Sequence, residues 1–307
     1  VKTLYDIPAP AKINLFLHVV GRRDDGYHLL QTVFRFIDLQ DTLQADVRAD
    51  GEISRSYDLP GVSPEQDIVL RAARLLQAET GTSLGAHLGL DKRIPMGGGL
   101  GGGSSDAASV LVALNRLWDT GLDRSQLMQL GLRLGADVPV FIFGQNAFAE
   151  GVGEELQPLV LPKAAYVIVQ PCASVATVDI FSAKELTRDT KPVRITDFPA
   201  AETDFLLQPP QEVRQFGHND LQPVVYSRYP VVSQAAKWLS GLGVEVRMSG
   251  SGACLFAGYH DLQNAVLAKQ EIVATMRTAG SEAIRLINSV HACAGLVEHP
   301  LRHWVTR

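Results

Sequence analysis

Apolar and polar positions alternate over residues 12–20. Ile13, Leu15, Leu17 and Val19 share one phase; Lys12, Asn14, Phe16 and His18 take the other. A period of two predicts a strand with one face buried. Lys12 and Asn14 stand at its start, opposite the apolar set. Gly21-Arg22-Arg23-Asp24-Asp25-Gly26 reads as a turn, with Tyr27 and His28 directly behind it. Further strands are predicted over 32–38 and 42–48, so the chain opens as an antiparallel sheet. Ser63-Pro64-Glu65-Gln66 has the form of a capping box with proline at the first helical position. The helix it predicts turns Val69, Ala72, Ala73 and Leu76 inward and stops at Gly81. Residues 84–94 alternate again.

A glycine-rich run follows: Pro95, Met96, Gly97, Gly98, Gly99, Leu100, Gly101, Gly102, Gly103, Ser104 and Ser105. Behind it Ala107, Val110, Leu111, Leu114 and Leu117 fall on one helical face, with Ser104 or Ser105 as the expected N-cap and Gly121 as the stop. Glycines can turn successive N–H groups inward, and a helix N-terminus attracts anions, so this stretch reads as a phosphate cradle. Gly97, Gly99 and Gly102 satisfy a dinucleotide G-x-G-x-x-G, but so many glycines make that match nearly automatic. The acidic residues about 20 positions on, Asp119 and Asp123, sit near a helix end and not at the end of a second strand. No lysine follows the glycines, so the P-loop pattern is absent.

Asp123-Arg124-Ser125-Gln126 caps a helix with Leu127, Leu130 and Leu134 inward, ending at Gly135. Asp137 follows, ahead of an apolar run over 138–141 that reads as a strand. Taken alone, an aspartate so placed is more often a turn or cap carboxylate than a catalytic one. Glycine and proline over 151–162 mark a break. Beyond it come a strand over 166–170, an irregular stretch over 187–210 and a helix over 230–242. Strands over 244–248 and 253–259 are joined by Ser249-Gly250-Ser251-Gly252. That loop is either a simple hairpin turn or a set of N–H and hydroxyl donors for phosphate or substrate. A helix over 261–279 and strands over 283–297 close a second α+β layer.

Composition narrows the class. The 307 residues are 46% hydrophobic and 20% charged, enough for a real core. A net charge of −5 does not suggest bulk nucleic-acid or membrane binding. Cys172, Cys254 and Cys293 lack C-x-x-C spacing and read as small buried residues in a reducing compartment. The eight histidines show no metal-ligand spacing. No leader pattern opens the chain and no apolar run reaches about 18 residues, so the cytoplasm is the expected location.

Three segments together resemble the GHMP kinases: Pro10-Ala11-Lys12-Ile13-Asn14-Leu15, residues 95–105, and Ser249-Gly250-Ser251-Gly252-Ala253-Cys254. Their order and spacing match along nearly the whole chain. Ala11-Lys12-Ile13-Asn14-Leu15, Gly26-Tyr27-His28, Gly135-Ala136-Asp137-Val138-Pro139 and the stretch 147–154 are similar to the branch that acts on a cytidine diphosphate-linked methylerythritol. The resemblance implies an α+β fold of two domains. A ribosomal-protein-S5-like, ATP-binding unit would span 1–155 and a ferredoxin-like unit that helps bind substrate would span 156–307, with the active site in the cleft between them. It implies transfer of the ATP γ-phosphoryl group to the 2-hydroxyl of the erythritol moiety, a step in non-mevalonate isoprenoid precursor synthesis. Lys12 and Asp137 would be catalytic. Pro95, Met96, Gly97, Gly98, Gly99, Leu100, Gly101, Gly102, Gly103, Ser104 and Ser105 would bind ATP, with Ser104 or Ser105 offering a hydroxyl to Mg²⁺. Asn14, Tyr27, His28, Phe181, Ser249 and Gly250 would hold the cytidine-bearing substrate.

The implied partners are these small molecules, with no nucleic acid or membrane, for a monomer or homodimer. Two positions depart from the family pattern. Asp67-Ile68 stands where relatives often have Asn-Leu, and Asp106 where they often have Asn. A charge in the first turn competes with phosphate for the helix dipole by about 0.3–1 kcal/mol, too little to abolish binding. A kinase of the same superfamily with another acceptor, and a nucleotide-binding regulator without turnover, are the rival readings.

Overall fold

The alternation at 12–20 is the centre of a longer strand, β1 (Thr3–Arg22), paired antiparallel with β2 (His28–Arg48). The computed structural model describes residues 2–194, 217–278 and 281–305. Where the sequence predicts two strands over 32–38 and 42–48, the chain runs on as one. The polar stretch between them is a bulge: Pro10 pairs with Gln40 but Ala11 with Ile37. Such a bulge bends a strand. The second half of β2 pairs with β4 (Gly85–Asp91), and its first half with β5 (Ala147–Glu150). Asp41, just past the bulge, is buried and accepts from the amides of Arg93 and Ile94 at 2.6 and 2.8 Å. β3 (Ile53–Arg55) and β6 (Glu155–Pro158) complete the order β3-β4-β2-β5-β6, with β1 on β2.

Helices α1 (Ile68–Thr80), α2 (Gly102–Leu117), α3 (Arg124–Leu134) and α4 (Val138–Phe143) pack with this sheet around one core. α1 starts later than its capping-box pattern predicts. Asp67 is the N-cap, accepting from Val69 N at 2.9 Å, while residues 64–66 form a turn. Arg55 and Tyr57 bind the same carboxylate at 2.6 and 2.8 Å, which anchors Asp67 as the cap in place of Ser63. α2 is capped by Gly101, not by a serine, and it ends at Leu117, before Gly121. Residues 105–115 of α2 are all buried, so it is a central helix and not an amphipathic surface one. α3 has the predicted Asp123–Gln126 capping box. The apolar run after Asp137 is helix α4 and not a strand; its proline lies in the first turn, where a missing N–H costs nothing.

The second sheet is antiparallel, in the order β10-β7-β9-β8, from β7 (Ala165–Pro171), β8 (Arg247–Met248), β9 (Leu255–Tyr259) and β10 (Ile287–Ala294). Helices α5 (Thr177–Phe181), α6 (Gln222–Arg228), α7 (Pro230–Gly241), α8 (Leu262–Thr278) and α9 (Ser281–Leu286) accompany it. Part of the stretch predicted as strand from 283 is thus helix α9. Residues 187–194 carry no regular structure, and the remainder of the predicted irregular stretch lies outside the described residues. Cys172 is exposed, against expectation; Cys254 and Cys293 are buried.

A third core is the seam between the lobes. Ala11, Ile13 and Leu15 of β1 pack there with Tyr166, Ile168 and Phe256 of the second sheet. Past β10 the chain returns to the first lobe. Leu296 N donates to Phe36 O at 2.8 Å, and Leu301 and Val305 enter the first core. We therefore divide the chain into 2–158 with 295–305, and the described residues of 159–294.

Candidate active site

A cleft of about 930 Å³ opens between the lobes. Its floor is the glycine run, which owes its shape to two kinds of constraint. Gly97, Gly99 and Gly101 have φ of 65°, 73° and 72°, a region that side-chain-bearing residues avoid. The run is also gripped from the second lobe. Ala253 N and Cys254 N donate to Gly97 O and Gly98 O at 3.3 and 3.1 Å. A methyl group on Gly99 would come within 2.2 Å of Ser249 O. Leu100 is buried in the seam core and anchors the run. Full burial of such a side chain stabilises by about 1.5–3 kcal/mol.

β1 braces the same run from below. Lys12 N donates to Leu100 O at 3.0 Å. The buried Lys12 Nζ lies 2.7 Å from Asn14 Oδ1, 3.2 Å from Gly99 O and 3.1 Å from Asp137 Oδ2. Three acceptors thus match the three protons of one ammonium. Asn14 is held in turn, its Nδ2 donating to Thr32 Oγ1 at 2.9 Å and its backbone N to Ser249 Oγ at 3.2 Å. Asp137 occupies the cap position of α4 but makes no side-chain cap bond. Its carboxylate faces Lys12 and the cleft.

Pro95, Met96, Gly97, Gly98, Gly99, Leu100, Gly101, Gly102, Gly103 and Ser104 all line the cleft, with Lys12, Asn14, Asp137 and Gly250. Two expected residues do not. Ser105 is fully buried and donates to Pro10 O at 2.7 Å. Ser249 is fully buried and donates to Gly99 O at 3.0 Å, so its hydroxyl ties the late loop to the glycine run. Asp106 forms a buried group with Lys92 and Asp41, its Oδ2 2.8 Å from Lys92 Nζ; Lys92 also pairs with Asp41. Burial pushes the Asp106 carboxyl above the usual carboxylate range, against the pull of Lys92. Because α2 begins at Gly102, Asp106 lies past its first turn, which holds no acidic residue, and its carboxyl is paired with Lys92 inside the fold.

At the far end of the cleft the turn after β1 meets α5. Tyr27, His28 and Phe181 all line this end; Tyr27 is 62% exposed, and the His28 and Phe181 rings lie 5.1 Å apart. Burial, with the Arg188 and Arg22 cations, holds the His28 pKa below its ordinary value. The sequence reading gave no site role to Thr32, Arg188 or Thr177; the Thr177 hydroxyl lies 2.7 Å from that of Ser251, a member of the loop offered as a donor set, at the cleft wall. Thr32 sits in a predicted strand where nothing sets it apart, and Arg188 and Thr177 lie outside any motif.

A two-lobed α+β fold with a glycine cradle, a buried lysine and a facing aspartate defines a small-molecule kinase of the GHMP class. Residues 67–145 match the GHMP kinases N terminal domain, and residues 206–278 match the GHMP kinases C terminal domain. The chain is 62% identical to the 4-diphosphocytidyl-2-C-methyl-D-erythritol kinase of Bordetella parapertussis, over 99% of each chain. It is 55% identical to the enzyme of that name from Aromatoleum aromaticum, over 98% of this chain and 97% of the other. A crystal structure of 4-(cytidine 5'-diphospho)-2C-methyl-D-erythritol kinase superposes with a TM-score of 0.72 at 31% identity, covering 96% of this chain and 99% of that one. A homoserine kinase from Cytophaga hutchinsonii, at 15% identity and TM-score 0.67, shares the fold. The chain belongs to the 4-diphosphocytidyl-2-C-methyl-D-erythritol kinase family. No helix among the described residues is long and apolar enough to cross a membrane.

Proposed function

We propose that this cleft brings ATP to 4-diphosphocytidyl-2-C-methyl-D-erythritol and passes the γ-phosphoryl group to its 2-hydroxyl, with Asp137 and Lys12 as the catalytic pair. The products are ADP and the 2-phosphate, in isoprenoid precursor biosynthesis. The observation that carries the reading is the Lys12 ammonium, shared between Asp137, Asn14 and Gly99 at the edge of the glycine run. Phosphoryl transfer passes through a loose transition state, so positioning and charge stabilisation dominate. Asp137 accepts the proton of the attacking hydroxyl, a contribution of about 10²–10⁴-fold. Lys12 pairs with the Asp137 carboxylate and steadies charge on the entering oxygen. The glycine N–H groups and the N-terminus of α2 hold the ATP phosphates. Tyr27 and Phe181 stack on the cytosine ring and His28 bonds its edge.

Mg²⁺ fits this reading as a hard cation seeking oxygen. Ser104 lines the cleft, whereas the Ser105 hydroxyl is already committed to Pro10. Among the described residues no group of three His, Cys, Asp or Glu could cage a metal, so phosphate oxygens would be its main ligands, with Ser104 beside them. When bound, the ion neutralises phosphate charge. Cys172, Cys254 and Cys293 are free thiols, which suits a reducing cytoplasm. The test is ADP release from Mg-ATP with the cytidylated methylerythritol, its uncytidylated phosphate, mevalonate and homoserine. Turnover confined to the cytidylated compound supports the reading; turnover of another acceptor replaces the substrate, and none at all removes the activity.

A further inference from the structure

We propose that Arg188 is a positioning residue that fixes the tautomer of His28 and so makes the base pocket prefer cytosine to uracil, an inference that rests on the cytidine reading of this end of the cleft. Arg188 Nε donates to His28 Nε2 at 3.0 Å. A guanidinium only donates. Nε2 must therefore present its lone pair, and the proton of the neutral ring sits on Nδ1. No described protein group bonds Nδ1, and the ring stands at the cleft wall. The ring nitrogen left for a ligand is thus a donor. Burial and the Arg188 and Arg22 cations keep the ring neutral.

Three further N–H groups of the guanidinium bond backbone carbonyls around the end of α5. Nη1 donates to Leu186 O at 2.9 Å, and Nη2 to Phe181 O and Ala183 O at 3.2 and 2.5 Å. Arg188 therefore joins the strand that carries His28 to the end of α5 that carries Phe181. A lysine has no planar fork to span these acceptors. Cytosine presents N3 as an acceptor, which pairs with Nδ1–H. Uracil presents N3–H, which would meet Nδ1–H donor to donor. A site built around one hydrogen bond rejects the analogue that leaves its groups unpaired.

The test combines ¹⁵N NMR of His28 in the full chain with kinetics of Arg188→Met and Arg188→Lys on the cytidylated substrate and its uridylated analogue. We expect wild-type His28 at neutral pH to carry its proton on Nδ1 and to leave Nε2 bare. Both variants should shift the proton toward Nε2, raise KM more than they change kcat, and cut the preference for cytidine by about tenfold, the weight of one hydrogen bond. A wild-type ring protonated on Nε2 overturns the proposal even if neither variant folds. A wild-type tautomer and preference kept by Arg188→Lys would show that charge suffices without the Nε donor, and overturns it too. A strong wild-type preference that a folded Arg188→Met retains overturns this inference alone. Equal wild-type turnover of both substrates, or of neither, overturns the cytidine reading and the inference with it.

Discussion

Lys12 Nζ stands 3.1 Å from Asp137 Oδ2, the lysine side chain 3% exposed and the aspartate 37%. The two ends of this pair have different freedom. Lys12 is also bound to Asn14 and Gly99 and cannot leave. Asp137 has no cap bond to hold it and can turn to a ligand. Asp137→Asn should lower kcat by about 10²–10⁴-fold, while ATP affinity measured by calorimetry stays close to wild type. Lys12→Met should lose turnover and also stability. It strands the buried Asn14 Oδ1, at about 1–3 kcal/mol, while Gly99 O keeps the Ser249 hydroxyl; the loss is visible as a lower urea midpoint. Near-normal turnover by Asp137→Asn removes the base role.

Ser249 separates a structural from a substrate-binding role. Its hydroxyl accepts from Asn14 N and donates to Gly99 O while fully buried. Ser249→Ala should destabilise the protein by about 1–3 kcal/mol, because Asn14 N loses its partner while Gly99 O keeps Lys12 Nζ. Its effect on KM should fall on ATP, through the loosened glycine run, and not on the cytidylated substrate. A rise in KM confined to the latter would put Ser249 in contact with substrate after all.

Much of this arrangement was legible because it is written locally. The phase of Lys12 and Asn14 in β1, the glycine run and the Asp123 cap each follow from a short pattern. What was not legible depends on partners far along the chain. Asp67 outcompetes Ser63 as a cap because Arg55 and Tyr57 hold it. The run after Asp137 is uniformly apolar, so its period could not separate strand from helix. α2 looked amphipathic because a helix buried on every side still shows its largest apolar residues as a stripe. Ser105 and Ser249 resemble donors in sequence; only the fold reveals that Pro10 and Gly99 have already taken them.

Tyr27 is the most exposed aromatic of the far end, at 62%, whereas Phe181 already touches His28. A large ring left open at a cleft is what stacking on a base requires. Tyr27→Ala should weaken binding of the cytidylated substrate by about 1–3 kcal/mol, the usual worth of one base stack. Folding stability should barely move, since little packing is lost. Tyr27→Phe should bind as wild type. Unchanged KM in Tyr27→Ala would leave the base without its proposed platform.

Acid should loosen the molecule from behind the active site. His299 is buried in the returning tail, with Nδ1 accepting from Leu301 N at 3.1 Å and Nε2 unpartnered. Its ring meets Phe36 and Phe141 edge-on, and Phe141 in turn crowds Gly101, where a methyl group would come within 2.9 Å. Burial, helped by Arg124, lowers its pKa from 6.5 to about 3. Burial and His218 lower that of His18 to about 4, although Asp220 opposes them. In both cases the folded value lies below the unfolded one. Between them the unfolded chain binds a proton that the native chain does not. Stability is therefore complete above the ordinary value of 6.5 and falls as pH drops toward 4. The slope approaches about 1.4 kcal/mol per pH unit for each histidine. Urea midpoints between pH 7 and pH 4.5, values chosen to bracket about half of this window, should show the fall. His299→Asn can still accept from Leu301 N but carries no titrating ring, so it should flatten the slope by about one proton. An identical slope in that variant would mean that the acid sensitivity arises elsewhere than in the tail.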